Sequence, residues 1–367
     1  MTRPTLITID TQALLHNIAV VRKLAPNAQL IAMVKANAYG CGIENIVPYI
    51  ESSVDILGVA CLSEALAIRD LGIKAECMLL PGVFDLEELQ IASAHKLQCV
   101  FHQAQQLRWL VEYPLVNKLK IWIKIDTGMS RLGFAPDEAY AVVDALRTCP
   151  WINREIGLMS HLAYPDPPNN QRTQKQLMIF NNVCNELSAL ADVEFKYSMA
   201  NSAAILTCQA AHLDAVRPGI MLYGASPFAD NVGVELGLQP VMHFHSAISS
   251  LHHYPAGVQV GYNGTWRTQK PSIIAVVPVG YGDGYPRHIS PNTNVWLNDQ
   301  YMPIIGRISM DMLTVDVTEC MQQPRIGDCV ELWGRAIPIE HIAQSAGTIA
   351  YELMCQTTAR AHKPIRC

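Results

Sequence analysis

Charge is scarce in this chain: 16% of the residues are Asp, Glu, Lys or Arg, and 27 basic against 32 acidic side chains leave a net charge of −5. Such a balance carries no electrostatic footprint for nucleic acid or an anionic membrane. No apolar run approaches the ~18–20 residues that a spanning helix needs. The opening MTRPTLITID lacks both the apolar stretch and the small-residue cleavage site of a signal peptide. Eleven cysteines are present, odd in number and without a CxxC pair. They read as reduced, mostly buried thiols of a cytoplasmic protein, and their spacing argues against a zinc site. The histidines of HFH and HH (His243, His245, His252, His253) complete no ligand set, so no metal is expected. What is abundant is apolar surface, half of 367 residues, enough for two domains rather than one.

Between residues 30 and 225 short apolar runs alternate with amphipathic stretches. The runs are LIAMVK (30–35), DILGVA (55–60), CMLL (77–80), LQCVF (97–101), KIWIKID (120–126), EIGLMS (155–160), FKYSMA (195–200) and LDAVRPG (213–219). Between them lie helical patterns. In SEALAIRDLG, Ser63 is a candidate cap and Gly72 a candidate terminator, and QKQLMIFNNVCNELSALA repeats Leu177, Phe180, Cys184 and Leu187 along one helix face. Eight strand–helix repeats predict a parallel (β/α)8 barrel, with an open doubly wound sheet as the alternative. After residue 235 β-branched runs separated by Gly, Pro and Asp, such as PSIIAVVPVGYGDGY, MPIIGRISMDMLTVDVT and GDCVELWG, predict a mostly β domain. The expected division is a barrel over residues 11–232 and a β domain over 233–367, with residues 1–10 pairing with the latter.

The run LIAMVK ends on Lys35, at the end of a barrel strand where active sites sit. A lone lysine there commonly snorkels to solvent, whereas a partly desolvated amine becomes a nucleophile. Asn37 and Gly40 allow a tight turn, and Tyr39 offers a phenol to a phosphate. The whole motif VKANAYG resembles the cofactor-lysine motif of alanine racemases, enzymes dependent on pyridoxal 5′-phosphate (PLP). The resemblance continues in order from TLITIDTQALLHNI to YELMCQTTAR. It departs at Cys41, where the family commonly has His.

The resemblance implies a barrel followed by a β domain, with Lys35 carrying PLP covalently. It also implies that Tyr39, Ser202, Gly219, Ile220 and Tyr351 receive the phosphate and that Arg217 faces the pyridine nitrogen. Lys35 and Tyr262 are the implied bases on opposite faces of the α-carbon, Lys35 for D-alanine and Tyr262 for L-alanine. A phenol is a poor base at neutral pH unless cationic groups stabilise its phenolate, and Arg217 with His161 are the candidates for that chain. Arg131, Met310 and Asp311 are implied in substrate binding, Tyr281 in gating the entrance, and Lys124 in carboxylation by CO2. Alternation along KIWIKIDTGMSRLGF puts Trp122, Lys124 and Asp126 on one face. The pocket leaves room for a methyl group, so alanine is the expected substrate and serine a slow one.

In the family the β domain reaches the barrel of a second subunit, which implies a homodimer with shared active sites, and D-alanine serves the peptidoglycan of the cell wall. Other readings on this architecture are a PLP-binding homeostasis protein, a racemase of broader specificity, and a decarboxylase. The β domain with Tyr262 and Met310, the opening without a signal peptide, and the absence of a decarboxylase-type cysteine motif around Cys320 and Cys329 argue against them in turn.

Overall fold

A computed structural model describes residues 3–163, 170–190 and 192–366. The chain resolves into two compact units. One comprises the described parts of 18–38 and 46–222, the other those of 1–17, 39–45 and 223–367.

Strand β1 (Leu6–Asp10) opens the chain and leads into the helix Thr11–Leu24. The first unit is then built on eight parallel strands: β2 (Gln29–Met33), β3 (Ile56–Val59), β4 (Glu76–Leu79), β5 (Gln98–Phe101), β6 (Leu119–Lys124), β7 (Ile152–Met159), β8 (Glu194–Asn201) and β9 (Ala215–Arg217). They pair in sequence order and close on themselves where Gln29 and Leu30 of β2 meet Ala215 and Val216 of β9. Each of the eight apolar runs became a barrel strand, and closure rules out the open doubly wound sheet. The runs are continuous rather than alternating because helices cover the outside while side chains fill the inside, so both faces of each strand are buried. In β6, for example, Ile121, Trp122 and Ile123 are all buried.

The helices start and stop less predictably. Helix Leu62–Asp70 begins one residue before Ser63; its N-cap is Cys61, which provides no side-chain bond. The Ser63 cap is therefore corrected: the Glu64 carboxylate accepts the Ala60 N–H at 2.8 Å in that role. Gly72 does stop the helix, in the left-handed region (φ 79°), with its N–H on the Arg69 carbonyl. Helix Gln171–Leu187 buries Thr173, Gln176, Phe180, Val183 and Leu187, a stripe that leaves Leu177 and Cys184 at its margins.

The second unit carries a nine-stranded sheet. To β1 are added β10 (Met242–Ala247), β11 (Ser250–Tyr254), the short hairpin β12 (Gln259–Val260) and β13 (Trp266–Arg267), β14 (Ser272–Val277), β15 (Asn294–Leu297), β16 (Gln300–Ile305), β17 (Leu313–Asp316), β18 (Cys329–Trp333) and β19 (Ile365–Arg366). Leaving out the separate hairpin, the order is β11-β14-β17-β16-β15-β18-β10-β1-β19. All neighbours are antiparallel except β1 and β19. Strand β1 enters this sheet through β10, with Leu6 opposite His245 and Ile9 opposite Met242. Among the described residues no helix is long and apolar enough to cross a membrane.

One interior contact shows how tightly the barrel is filled. Trp122 donates its indole N–H to Gln98 Oε1 at 2.8 Å, and its ring lies against the bare backbone of Gly157 on the next strand. A Cβ at Gly157 would come within 2.1 Å of that ring. Gly157→Ala is expected to destabilise the protein by about 1–3 kcal/mol through overpacking. Urea unfolding should show a lower midpoint; an unchanged midpoint would mean that the ring can give way without cost.

Candidate active site

Four basic residues of the first unit, Lys35, Lys124, Arg131 and Arg217, lie at the carboxyl ends of barrel strands or in the segments that follow them. Lys35 follows β2 and is half-buried. After it the chain does something the sequence did not announce: Ala36, Asn37, Ala38 and Tyr39 all lie at φ near 52°, and Gly40 continues at 77°. This is a left-handed turn made largely of residues that carry a Cβ, each non-glycine costing about 1 kcal/mol. The Ala38 N–H closes it on the Val34 carbonyl at 2.9 Å, and Glu64 Oε1 accepts the Asn37 N–H at 3.3 Å. Glu64 thus braces the lysine-bearing turn at one oxygen and the β3 exit at the other. Nothing in its sequence setting marked it out.

Lys124 ends β6. The loop beyond it folds back, with the Phe134 N–H on the Lys124 carbonyl and the Asp126 N–H on that of Phe134. Asp126 Oδ1 collects the amides of Gly128, Met129 and Ser130 at 2.9–3.0 Å. Arg131 projects, exposed, from the loop so fixed. Burial, then the charges of Arg217, Arg131 and Lys35, pull the Lys124 ammonium down to about 8 against the partial opposition of Asp126. About a tenth of its amine is then neutral at pH 7, compared with about 0.03% for an ordinary lysine. A neutral amine is the form that adds to CO2.

Arg217, at the end of β9, is buried. It donates to Ser198 Oγ at 2.5 Å and to the carbonyls of Ser160 (2.5 Å) and Met199 (3.3 Å). With neutral acceptors only, burial pulls even the guanidinium down to about 10. His161, after β7, is pushed down to about 3 by burial and by Arg217, Lys124, Arg131 and Lys35. His161 is thereby held neutral at pH 7, while the Nη atoms of Arg217 are engaged by Ser160, Ser198 and Met199. A polar web holds the same region. Thr127 and Ser160 share a hydroxyl bond of 2.8 Å, while Gln176 donates to Thr127 Oγ1 and the His161 carbonyl and accepts from the Ala163 N–H. Gln176, Ser160 and Thr127 went unnoticed in the sequence because barrel closure is what makes them neighbours.

Asn201, not Ser202, caps the helix Ser202–Thr207, its Oδ1 accepting the Ala204 N–H. Ser202 Oγ accepts the N–H of Gly219 at 2.8 Å and that of Met221 at 3.5 Å. Gly219 and Ile220 form the buried turn that follows β9.

The remaining expected residues belong to the second unit. Tyr39 stacks on Tyr223, ring centroids 4.5 Å apart, with Tyr351 tilted against it at 6.1 Å. Burial pushes the Tyr351 phenol up to about 12 and that of Tyr39 higher, the latter with help from Tyr351 and Cys355. Both stay protonated and can donate to an anion. Cys41 is a fully buried thiol raised to about 12, and the neighbouring Gly40 carbonyl is held by Lys363 Nζ at 2.6 Å. Tyr262 caps the β12–β13 hairpin, Tyr281 sits in the turn after β14, and Met310 and Asp311 lie between β16 and β17. Tyr262, Met310 and Tyr281 are 68%, 51% and 40% exposed, high for such apolar side chains.

A group with a phosphate and an aldehyde fits this donor set. The barrel unit offers the primary amine of Lys35 and the positive charge of Lys124, Arg131 and the buried Arg217; the other unit offers the protonated phenols of Tyr39 and Tyr351.

Comparison with known proteins agrees. The sequence matches the family description "Alanine racemase, N-terminal domain" over residues 9–227 and "Alanine racemase, C-terminal domain" over 241–365. An alanine racemase of Legionella pneumophila (strain Lens) is 50% identical over 360 residues, 98% of this chain and 99% of the relative. The structure of alanine racemase from Acinetobacter baumannii superposes with a TM-score of 0.92 at 38% identity, covering 100% of both chains. The alanine racemase structure from Bartonella henselae with covalently bound pyridoxal phosphate gives 0.86 at 28% identity, over 99% of each chain. The chain therefore belongs to the alanine racemase family, and its activity is the PLP-dependent interconversion of L- and D-alanine.

Proposed function

We propose that Lys35 and Tyr262 are the two bases of this racemisation, and that each active site is completed by the β domain of a second copy of the chain. The observation that carries the reading is the cluster of Lys35, Lys124, Arg131 and Arg217 around a neutral His161, a site built to receive negative charge. When bound, PLP supplies an electron-withdrawing ring that acidifies the α-proton of an attached amino acid. Lys35 would hold it. Ser202, Gly219, Ile220, Tyr39 and Tyr351 would receive its phosphate, with Arg217 at the ring nitrogen and His161 beside it. A fixed guanidinium there opposes ring protonation, which leaves proton transfer to the two flanking bases.

Once the substrate amine has displaced it, Lys35 would take the α-proton of D-alanine while Tyr262 delivers one to the opposite face; from L-alanine the roles reverse, Tyr262 taking the proton and Lys35 delivering. Arg217 supplies the positive field in which a phenolate is tolerable, and neutral His161 relays hydrogen-bond polarity without adding charge. Arg131, oriented by a carboxylated Lys124, grips the substrate carboxylate together with Met310 and Asp311. Tyr281 narrows the entrance to a methyl-sized side chain. The exposure of Tyr262, Met310 and Tyr281 on a single chain supports a homodimer in which these residues cover the partner's barrel. The division of labour follows a barrel over 11–232 and a β domain over 233–367. Free cysteines throughout the described residues support a reducing, cytoplasmic setting, from which D-alanine would supply peptidoglycan.

Tyr262→Phe should lose racemisation by about 10²–10⁴-fold yet still exchange the α-proton of D-alanine for deuterium in D2O, because Lys35 remains. Chiral chromatography with mass spectrometry would read deuterated D-alanine without L-alanine; formation of L-alanine at the unmodified rate would remove Tyr262 from the mechanism. A second expectation follows from the sign of the histidine shift. Since His161 is held down to about 3, it is neutral throughout pH 5–8. His161→Asn should slow turnover without removing any ionisation from the pH–rate profile in that window. Disappearance of an acidic limb on that substitution would contradict a neutral His161.

A further inference from the structure

The closing motif QTTAR carries Arg360, to which the scheme above gives no task, and the same holds for Arg3 near the other end of the chain. Both converge on Asp283, a wholly buried carboxylate in the turn that bears Tyr281. Arg3 forms a two-pronged pair with it, Nη1 on Oδ1 and Nη2 on Oδ2 at 2.6 Å. The Gly280 N–H donates to Oδ2 at 3.0 Å, and Arg360 Nε lies 3.6 Å from Oδ1. The far ends of both guanidinium groups reach the other rim segment. Arg360 Nη2 donates to Asp311 Oδ1 at 2.5 Å, and Arg3 Nη2 donates to the Asp311 carbonyl at 3.2 Å.

Backbone bonds run in parallel with these. The Tyr281 N–H donates to the Ser309 carbonyl and the Gly282 N–H to that of Met310, at 3.1 and 2.9 Å. Thr358, two residues before Arg360, donates its hydroxyl to the Gly282 carbonyl and its N–H to that of Asp283. The Arg360 guanidinium lies against Gly282, where a Cβ would meet its Nη1 at 2.1 Å and the Met310 carbonyl oxygen at 3.0 Å. Tyr281 and Met310 therefore belong to one plate, held by two carboxylates and two guanidinium forks of balanced charge.

We propose that Arg360 and Arg3 are positioning residues that fix the separation of Tyr281 and Met310 and so set how strictly the enzyme prefers alanine to a longer amino acid. This rests on the reading that Tyr281 and Met310 close the partner's substrate pocket. A planar fork holds two acceptors at fixed spacing, which a lone ammonium does not. Loss of the fork lets the plate part, so a longer side chain enters while alanine is held less well.

The test compares alanine with 2-aminobutyrate as substrates of the PLP-loaded enzyme and of Arg360→Ala, Arg360→Lys and Arg3→Ala. Their kcat/KM ratio is unaffected by any misfolded fraction, since that fraction scales both substrates alike. Arg360→Ala should lower the ratio about tenfold, through a raised KM for alanine with kcat within about threefold. Arg3→Ala should shift it in the same direction, and Arg360→Lys should recover part of it. An unchanged ratio in Arg360→Ala, or no recovery by Lys, overturns the proposal. Co-expressing Lys35→Ala chains with Arg360→Ala chains then separates it from the shared-site reading. The one working site of that heterodimer pairs an intact Lys35 with an intact Arg360 only if the rim acts on the partner, and it should then show the unmodified ratio. A lowered ratio there, beside a lowered ratio in the Arg360→Ala homodimer, would keep the positioning role and reject the shared site.

Discussion

A cluster of basic side chains, Lys35, Lys124, Arg131 and Arg217, organises the barrel mouth. Lys35, Lys124, Arg131 and Arg217 act on one another and on His161, while the carboxylate opposing them at Lys124, Asp126, already accepts three backbone amides. Among the described residues, the buried Arg217 donates to one hydroxyl and two carbonyl oxygens. Burying a guanidinium in that way is unfavourable unless something anionic completes the site. In the proposed scheme a phosphate, a substrate carboxylate and a carboxylated lysine would be three such anions. Stability is given up locally so that binding can restore it, which is the usual pattern where local rules are broken.

Holding that arrangement open requires rigid supports. The barrel provides them by fixing each residue at a strand end: Lys35 after β2, Lys124 on β6, His161 after β7 and Arg217 on β9. Where the chain leaves β2 it adopts a strained left-handed turn, braced by Glu64. In the β domain the support is electrostatic, with Asp283 and Asp311 clamped by Arg3 and Arg360.

The barrel was legible because its strands are buried on both faces and so appear as eight uninterrupted apolar runs. The family was legible through the motifs that carry Lys35, Arg217 and Tyr262. Other features depend on facts that no local window contains. The left-handed turn falls on alanines, which have no preference for that region. Glu64 looks like any acidic residue in the first turn of a helix. Asp283 reads as part of a GYGDG turn until Arg3 arrives from the opposite end of the sequence. The neutrality of His161 follows from burial and then from four cations contributed by strands and loops that only closure brings together.

The account depends most on Lys124 being an amine whose ammonium form is disfavoured by burial and by the surrounding cations, and whose neutral form CO2 converts to an anion. Carbon-13 NMR of the enzyme equilibrated with 13C-bicarbonate tests this directly. A carbamate resonance that is present near pH 8, fades on acidification, and is missing from Lys124→Ala is the predicted result. No such resonance, or one that persists in Lys124→Ala, would mean that the positive field at the barrel mouth is balanced in some other way.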